Sequence, residues 1–387
     1  MQNIISSTFK LGILGGGQLG RMLIQAAVNM DIATSVLDPD ADCPAAGICT
    51  HFVKGDFRDF DAVYNFGKDQ DVITIEIEHV NTDALLKLEK EGKRVFPQPH
   101  QLKVIQDKGL QKQFYTSNRL ATAPYLLLEN KQAVIEAAEK NEIKFPFIVK
   151  TRTNGYDGKG VVKIDSAGDF NKIPDEPVVL EQAVKIKKEI AVIAAMNVRG
   201  EIKCFPAVEM DFNPTANLVE FLSCPAALSS EKLKEAEALA IATIKAFDLC
   251  GVLAVEMFLD ENDAILINEV APRPHNSGHH TIESAPVSQY EQHLRAILDL
   301  PLGATYQFMP SVMLNLLGEA GHSGDVYYKG LEESLSLEGV KVHIYGKKQT
   351  KPFRKMGHVT IMDATMEKVK AKAKIVKENL KVISTNQ

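Results

Sequence analysis

At 387 residues the chain is too long for a single core, so two or three domains are expected. Hydrophobic residues make up 45% and charged residues 24%, an ordinary globular balance, and 44 Lys and Arg against 50 Asp and Glu argue against a nucleic-acid or membrane surface as the main partner. Nothing in residues 1–10 resembles a signal peptide, no run approaches membrane-spanning length, and five scattered cysteines without C-x-x-C point to free thiols in a reducing cytoplasm.

Residues 10–100 alternate short apolar runs with helical patterns. "LGILGG", "ATSVLDP", "HFVKGD", "VITIEIEH" and "RVFPQ" read as strands; "QLGRMLIQAAVNM", "FRDFDAVYNFGK" and "VNTDALLKLEKEG" read as helices. This alternation predicts a parallel sheet with helical crossovers. Gly15, Gly17 and Gly20 match G-x-G-x-x-G between the first strand and helix, and Asp38 ends the second strand. That is the spacing of a dinucleotide-binding fingerprint, so an NAD-dependent oxidoreductase is one reading. The other is that the helix N-terminus faces a different anion and that Asp38, before Pro39, is turn chemistry.

From Gln101 to about Leu120 the pattern is helical. In "FPFIVKTRTNGYDGKGVVKID", Gly155, Gly158 and Gly160 lie between two β-like runs, where a hairpin can fold its N–H groups over a phosphate chain. Lys150 and Lys159 can neutralise phosphate charge there. Taken alone, an ordinary flexible hairpin is the simpler reading. The helix "SSEKLKEAEALAIATIKAF" opens on a serine cap with Glu231 in its first turn.

Next, "GVLAVEMFLD" and "AILINEVAP" flank the turn "ENDA". A turn at 261–264 sets Asp260 opposite Ile265 and Glu256 opposite Glu269. Two carboxylates facing each other among apolar neighbours repel, and a bridging divalent cation relieves the repulsion. An all-oxygen donor set suits magnesium. In "EVAPRPHNSGHHT", Arg273, His275, Asn276, Ser277 and Gly278 form a donor-rich loop stiffened by Pro272 and Pro274, suited to an anion. Zinc at His275, His279 and His280 is disfavoured, because H-E-x-x-H needs a helix and a glutamate. Short strands follow Pro301, and a basic helix, "TMEKVKAKAKIVKENL", reads as a solvated face.

"GGGQLGRM", "EIEHV", "GYDGKG", "EVAPRPHNSGHHT", "MLNLLG", "YGK" and "RKMGH", in this order over residues 11 to about 358, resemble the ATP-grasp family and, within it, the biotin-independent carboxylases of purine synthesis, the 5-(carboxyamino)imidazole ribonucleotide synthases. The resemblance implies an α/β fold, α+β in its centre. It has a Rossmann-like N-terminal domain (1–105), an ATP-grasp domain (106–300, lid about 121–184) and a small C-terminal domain (301–387). It implies an enzyme that joins bicarbonate to aminoimidazole ribonucleotide at the expense of ATP through carboxyphosphate. Magnesium, with manganese as a substitute, would be the metal, and a cytoplasmic homodimer the assembly. No nucleic acid or membrane is implied as partner.

Carried over residue by residue, Lys108, Lys150 and the loop of Gly155, Tyr156, Asp157, Gly158, Lys159, Gly160 and Val161 would hold phosphates. Adenine would lie against Glu181, Gln182, Ala183 and Val184, with the ribose at Glu189. Glu256 and Glu269 would hold the metal beside Asn268. Arg273, His275 and Asn276 would hold bicarbonate and carboxyphosphate, and Asp157 would take a proton from the attacking amine. Gly17, Gln18, Leu19, Glu76, Ile77, His79 and Tyr156 would face the ribonucleotide, with Lys347 and Arg354 on its phosphate. Two positions depart from relatives: Ala271 replaces an asparagine common after the second metal carboxylate, and Phe212 replaces a histidine near ATP. The competing readings are another ATP-grasp ligase, such as formate-dependent glycinamide ribonucleotide transformylase or biotin carboxylase, and a non-catalytic ATP-binding regulator.

Overall fold

A computed structural model describes residues 6–153, 160–212 and 219–385. The first region is a parallel sheet of β1 (Lys10–Leu14), β2 (Ala33–Asp38), β3 (His51–Lys54), β4 (Val72–Ile75) and β5 (Arg94–Val95), in the order β3-β2-β1-β4-β5. Its central strands are apolar on both faces because helices cover both. The helix Gln18–Val28 packs Met22, Leu23 and Ile24 with Leu11 and Ile13, while Val63, Phe66, Leu85 and Leu88 of two other helices meet Leu14, Leu37 and Ile75. The chain leaves β1 toward β2 on one side and reaches β4 on the other. The glycine turn after β1 and the Glu76 segment after β4 therefore meet at the switch point, where such sheets place ligands.

The helix expected over 101–120 is two helices, Pro99–Gln106 and Lys108–Ser117. Asp107 leaves the helical region between them, and its Oδ1 accepts the N–H groups of Gly109 (2.7 Å) and Leu110 (3.2 Å). One residue thus ends the first helix and caps the second.

A four-stranded antiparallel sheet follows, from β6 (Tyr125–Leu128), β7 (Phe147–Thr151), β8 (Val161–Ile164) and β9 (Val178–Gln182), ordered β6-β9-β7-β8. The large central sheet takes β10 (Ile186–Met196), β11 (Ile202–Cys204), β12 (Val208–Phe212), β13 (Val219–Cys224), β14 (Gly251–Asp260) and β15 (Ile265–Ala271). It runs on through β13 into β16 (Ser311–Leu317), which pairs with β20 (Lys355–Met362), and β20 pairs in turn with β18 (Val340–Ile344). The remaining C-terminal strands, β17 (Gly324–Lys329), β19 (Gln349–Thr350) and β21 (Lys381–Ser384), form a small sheet of their own. The helix Ser230–Phe247, capped by Ser229, lays Ala236, Ala240, Ile244 and Phe247 on the central sheet. Phe247 stacks on Phe114 and so pins the helix Lys108–Ser117 against the same core.

His293 joins the first sheet to the central one. Its Nδ1 accepts the Val252 N–H (3.2 Å), so Nε2 carries the proton and donates to Thr74 Oγ1 (2.9 Å). Burial pushes this imidazole down to about 3, which keeps it neutral in that role.

The β14–β15 hairpin corrects one expected register. Leu259, not Asp260, lies opposite Ile265. A bulge between Met257–Ile267 and Glu256–Glu269 inserts Asn268 as the extra residue and restores the Glu256–Glu269 pairing.

Candidate active site

The glycine turn is filled from within. Gly16 N–H donates to Asp38 Oδ2 (2.7 Å), and Asp40 N–H to Asp38 Oδ1 (2.8 Å). Gly20 N–H donates to Glu76 Oε2 (3.2 Å) at the start of the helix. A Cβ on Gly17 would lie 2.7 Å from Glu76 Oε1, and one on Gly15, which has φ +96°, would lie 2.5 Å from Glu76 Cγ. The glycines thus make room for a carboxylate of the chain itself, where a dinucleotide fingerprint would bring a pyrophosphate. Asp38 is turn chemistry, and the NAD reading loses its footing at this point: the Gly16 and Gly20 N–H groups are already taken by Asp38 and Glu76. Leu19 turns its side chain into the core, so its backbone alone can face a ligand.

Next to this turn, Arg273 pairs with Glu78, with Nη2 2.7 Å from Oε1 and 2.9 Å from Oε2, and Nη1 donates to Pro274 O (3.0 Å). Buried Gln289 brackets the following loop, accepting His275 N–H (2.8 Å) and donating to His275 O (2.7 Å). Ser277 N–H donates to His275 Nδ1 (3.3 Å), so the imidazole proton sits on Nε2, 3.3 Å from Glu256 Oε1. Asn276 opens the short turn Asn276–Gly278 beside it. His279 and His280 are buried and bonded to Tyr290 (3.0 Å) and Ser284 (2.8 Å), and burial holds both imidazoles below their usual range. Among the described residues no group of three or more His, Cys, Asp or Glu is placed to hold a metal ion.

The third group lies between the four-stranded antiparallel sheet and the central sheet. Lys108 Nζ is 2.6 Å from Glu269 Oε2, and Lys150 Nζ donates to Asn268 Oδ1 (2.9 Å) and meets Glu181 Oε1 (3.0 Å). In a regular strand, neighbours 268 and 269 would point to opposite faces. The bulge lets both reach lysines of one cleft. Glu256 and Glu269 divide their charge unequally. Burial, Glu269 and Glu189 push the Glu256 carboxyl up; burial also opposes ionisation of Glu269, but Lys108, Lys150 and His275 outweigh it and hold that group down. Glu189, on β10, is pushed up to about 7 by burial against the pull of Lys150.

Three family matches run in order along the chain: a ribonucleotide synthetase preATP-grasp domain over residues 8–106, an ATP-grasp domain over 113–290, and a phosphoribosylaminoimidazole carboxylase C-terminal domain over 311–372. The N5-carboxyaminoimidazole ribonucleotide synthase of Bacillus subtilis is 36% identical over 91% of this chain and 91% of its own length. The chain belongs to the N5-carboxyaminoimidazole ribonucleotide synthase family. The Thermotoga maritima synthetase of this family is similar at 40% identity and TM-score 0.90, covering 97% of this chain and 99% of that one. A synthase structure from Aspergillus clavatus, in complex with ADP and 5-aminoimidazole ribonucleotide, is 34% identical with TM-score 0.88 over 96% and 98%. The Candida glabrata phosphoribosylaminoimidazole carboxylase is 36% identical, and the chain spans 64% of its length.

Within this synthase family frame, the residues expected to surround the nucleotide separate by role. Glu181, expected beside adenine, turns its side chain inward to Lys150 and Lys112 (3.3 Å). The Gln182 and Ala183 N–H groups donate to the Pro124 and Pro146 carbonyls, which leaves an adenine edge to other backbone groups of that linker. Gly160 takes φ +76° and accepts the Thr151 N–H (2.9 Å), and Val161 pairs with Lys150. Gly155, Tyr156, Asp157, Gly158 and Lys159 lie outside the described residues. So do residues 213–218, immediately after Phe212.

At the far side, Lys347 Nζ donates to Lys355 O (2.8 Å) and Arg354 Nη1 to Gln349 O (2.7 Å), which holds both cations on the C-terminal loop. That loop reaches the first domain. Lys348 pairs with Asp42, and a Cβ on Gly346 would lie 3.5 Å from Arg21 Nη1. Ile77 packs beneath the glycine turn, and His79 follows half-buried on the same segment. The sequence reading missed Lys112, Glu78 and the Asp107–Arg152 pair (2.7 Å). Lys112 alone had a signal, one helical turn after Lys108 and so on the same face.

Proposed function

We propose that the chain carboxylates 5-aminoimidazole ribonucleotide with bicarbonate at the expense of ATP. The observation that carries this reading is the Glu256–Glu269 pairing with Asn268 bulged beside it, facing Lys108 and Lys150. Two carboxylates and an amide are hard oxygen donors, too few to enclose a cation and suited to magnesium that also binds phosphate oxygens. When bound, magnesium would supply charge neutralisation between the nucleotide phosphates. The near full-length match to the bacterial synthases supports this single step rather than the longer carboxylases' complete activity.

In this reading, Lys108 and Lys150 exchange their present partners for phosphate oxygens, and Glu189 accepts the ribose hydroxyls. Transfer of the γ-phosphoryl group to bicarbonate gives ADP and carboxyphosphate, a step that needs mainly positioning and charge neutralisation. Arg273, His275 and Asn276 hold the bicarbonate and then the carboxyphosphate. The exocyclic amine attacks the carboxyl carbon, the C–O bond to phosphate breaks, and Asp157 takes the amine proton. Gly17, Gln18, Leu19, Glu76, Ile77, His79 and Tyr156 line the ribonucleotide side, and Lys347 and Arg354 take its phosphate. The same reading divides the chain at 106 and 301 and makes it a cytoplasmic homodimer. Among the described residues no helix is long and apolar enough to cross a membrane.

The test is ADP release coupled to a visible readout, with each substrate omitted in turn. ADP formation should require ribonucleotide and bicarbonate, and Glu269→Gln should keep the circular dichroism of the parent while ADP formation collapses. Undiminished turnover in Glu269→Gln, or ADP release indifferent to the ribonucleotide, would overturn the proposal.

A further inference from the structure

Behind the two lysines that face the nucleotide cleft lies a third. Lys112 is 2% exposed on the helix Lys108–Ser117. Its Nζ donates to Thr122 Oγ1 (2.7 Å) and lies 3.3 Å from Glu181 Oε2. The Thr122 hydroxyl donates in turn to Ile267 O (2.8 Å), so its lone pair is left to face the ammonium. Glu181, 4% exposed, offers its other oxygen to Lys150 (3.0 Å), and Lys150 reaches Asn268 (2.9 Å). The chain of contacts therefore runs from the helix through β9 to β7, and through Thr122 and Asn268 to β15. These are the elements that enclose the cleft.

We propose that Lys112 is a positioning residue for the nucleotide: it shares the Glu181 carboxylate with Lys150 and so leaves the Lys150 ammonium free to turn to phosphate. The proposal rests on ATP being the ligand of this cleft. The reasoning is a charge balance. Two lysines and one carboxylate carry a net charge of about +1 in a water-poor site, where charges act strongly. Without Lys112, Glu181 and Lys150 form a closed pair of net charge about zero, and phosphate must compete with a buried carboxylate for its ligand. Lys112 itself is engaged with Thr122 and Glu181, so it acts through its neighbours.

A double-mutant cycle separates this role from simple packing. ATP is titrated calorimetrically, in magnesium buffer, into the full-length parent, Lys112→Met, Glu181→Gln and the double variant. Lys112→Met should weaken ATP binding about tenfold, equivalent to about 1.4 kcal/mol, with the KM for the ribonucleotide unchanged. Adding Glu181→Gln to Lys112→Met restores the +1 balance and should bring ATP binding back to within about threefold of the parent. A structural role predicts the opposite, a double variant worse than either single one. Thr122→Val, which removes only the hydroxyl that orients Lys112, should weaken ATP binding in the same direction and decides the matter if Lys112→Met does not fold. Equal ATP affinity in parent and Thr122→Val and Lys112→Met overturns the positioning role. Failure of the parent to bind ATP overturns the functional reading beneath it as well.

Discussion

Glu181→Gln offers the sharpest test of the buried network by stability alone. The substitution keeps shape and removes one charge. It leaves the Lys112 and Lys150 ammonium groups, at 3.3 and 3.0 Å, facing an amide that can accept from only one of them well. Removing one partner of a buried ion pair costs about 3–5 kcal/mol. With about 2–4 °C of Tm per kcal/mol for a domain of 150–250 residues, the drop should be on the order of 10 °C. The loss should depend on pH. Burial already pushes Lys112 down to about 8 with Glu181 still helping to hold it charged, so the variant's Lys112 lies lower again. A lysine whose folded pKa is depressed contributes stability above its unfolded pKa and loses it as pH falls through the folded one. The gap between variant and parent should therefore be widest at pH 6.5 and narrow by pH 9.5, where Lys112 is neutral in both. Urea unfolding followed by circular dichroism at the two pH values measures this directly. A loss under about 1 kcal/mol, far below the range for a broken buried pair, or a gap that widens with pH, would refute the reasoning.

Three further outcomes follow from the site. ATP affinity should rise between pH 6 and pH 8, because Glu189, pushed up to about 7, must ionise before it can accept the ribose hydroxyls; Glu189→Gln should flatten that profile in calorimetric titrations. Lys347→Ala and Arg354→Ala each remove a charge-assisted contact, which should raise the half-saturating ribonucleotide concentration about tenfold or more and leave ATP affinity nearly unchanged; the reverse pattern in separate titrations would place the C-terminal loop on the wrong side of the cleft. ATP should raise the melting temperature in thermal-shift measurements and NAD should not, because the Asp38 and Glu76 carboxylates already take the Gly16 and Gly20 N–H groups and would face a pyrophosphate there; saturable NAD stabilisation would contradict that account.

Local pattern determined much of this protein. The apolar alternation of residues 10–95 produced the parallel sheet, Ser229 capped the helix that follows it, and Glu256 came out opposite Glu269. Strand period, cap chemistry and turn placement depend on neighbours a few residues apart, and a linear reading sees those. The hairpin also shows where such reading ends. The expected Asp260–Ile265 pairing was off by one residue, and the bulge at Asn268 brought the carboxylates back into register. The glycine turn is the other instance. Its spacing is that of a dinucleotide site, yet whether its N–H groups stay open depends on a carboxylate from 56 residues away, Glu76, arriving at the same helix end. Glu78 on Arg273, and Lys112 on Glu181, are likewise pairs between distant segments. Burial and long-range ion pairing arise only when strands and helices far apart in sequence meet, so the tertiary structure alone decided which donors face a ligand and which are already satisfied.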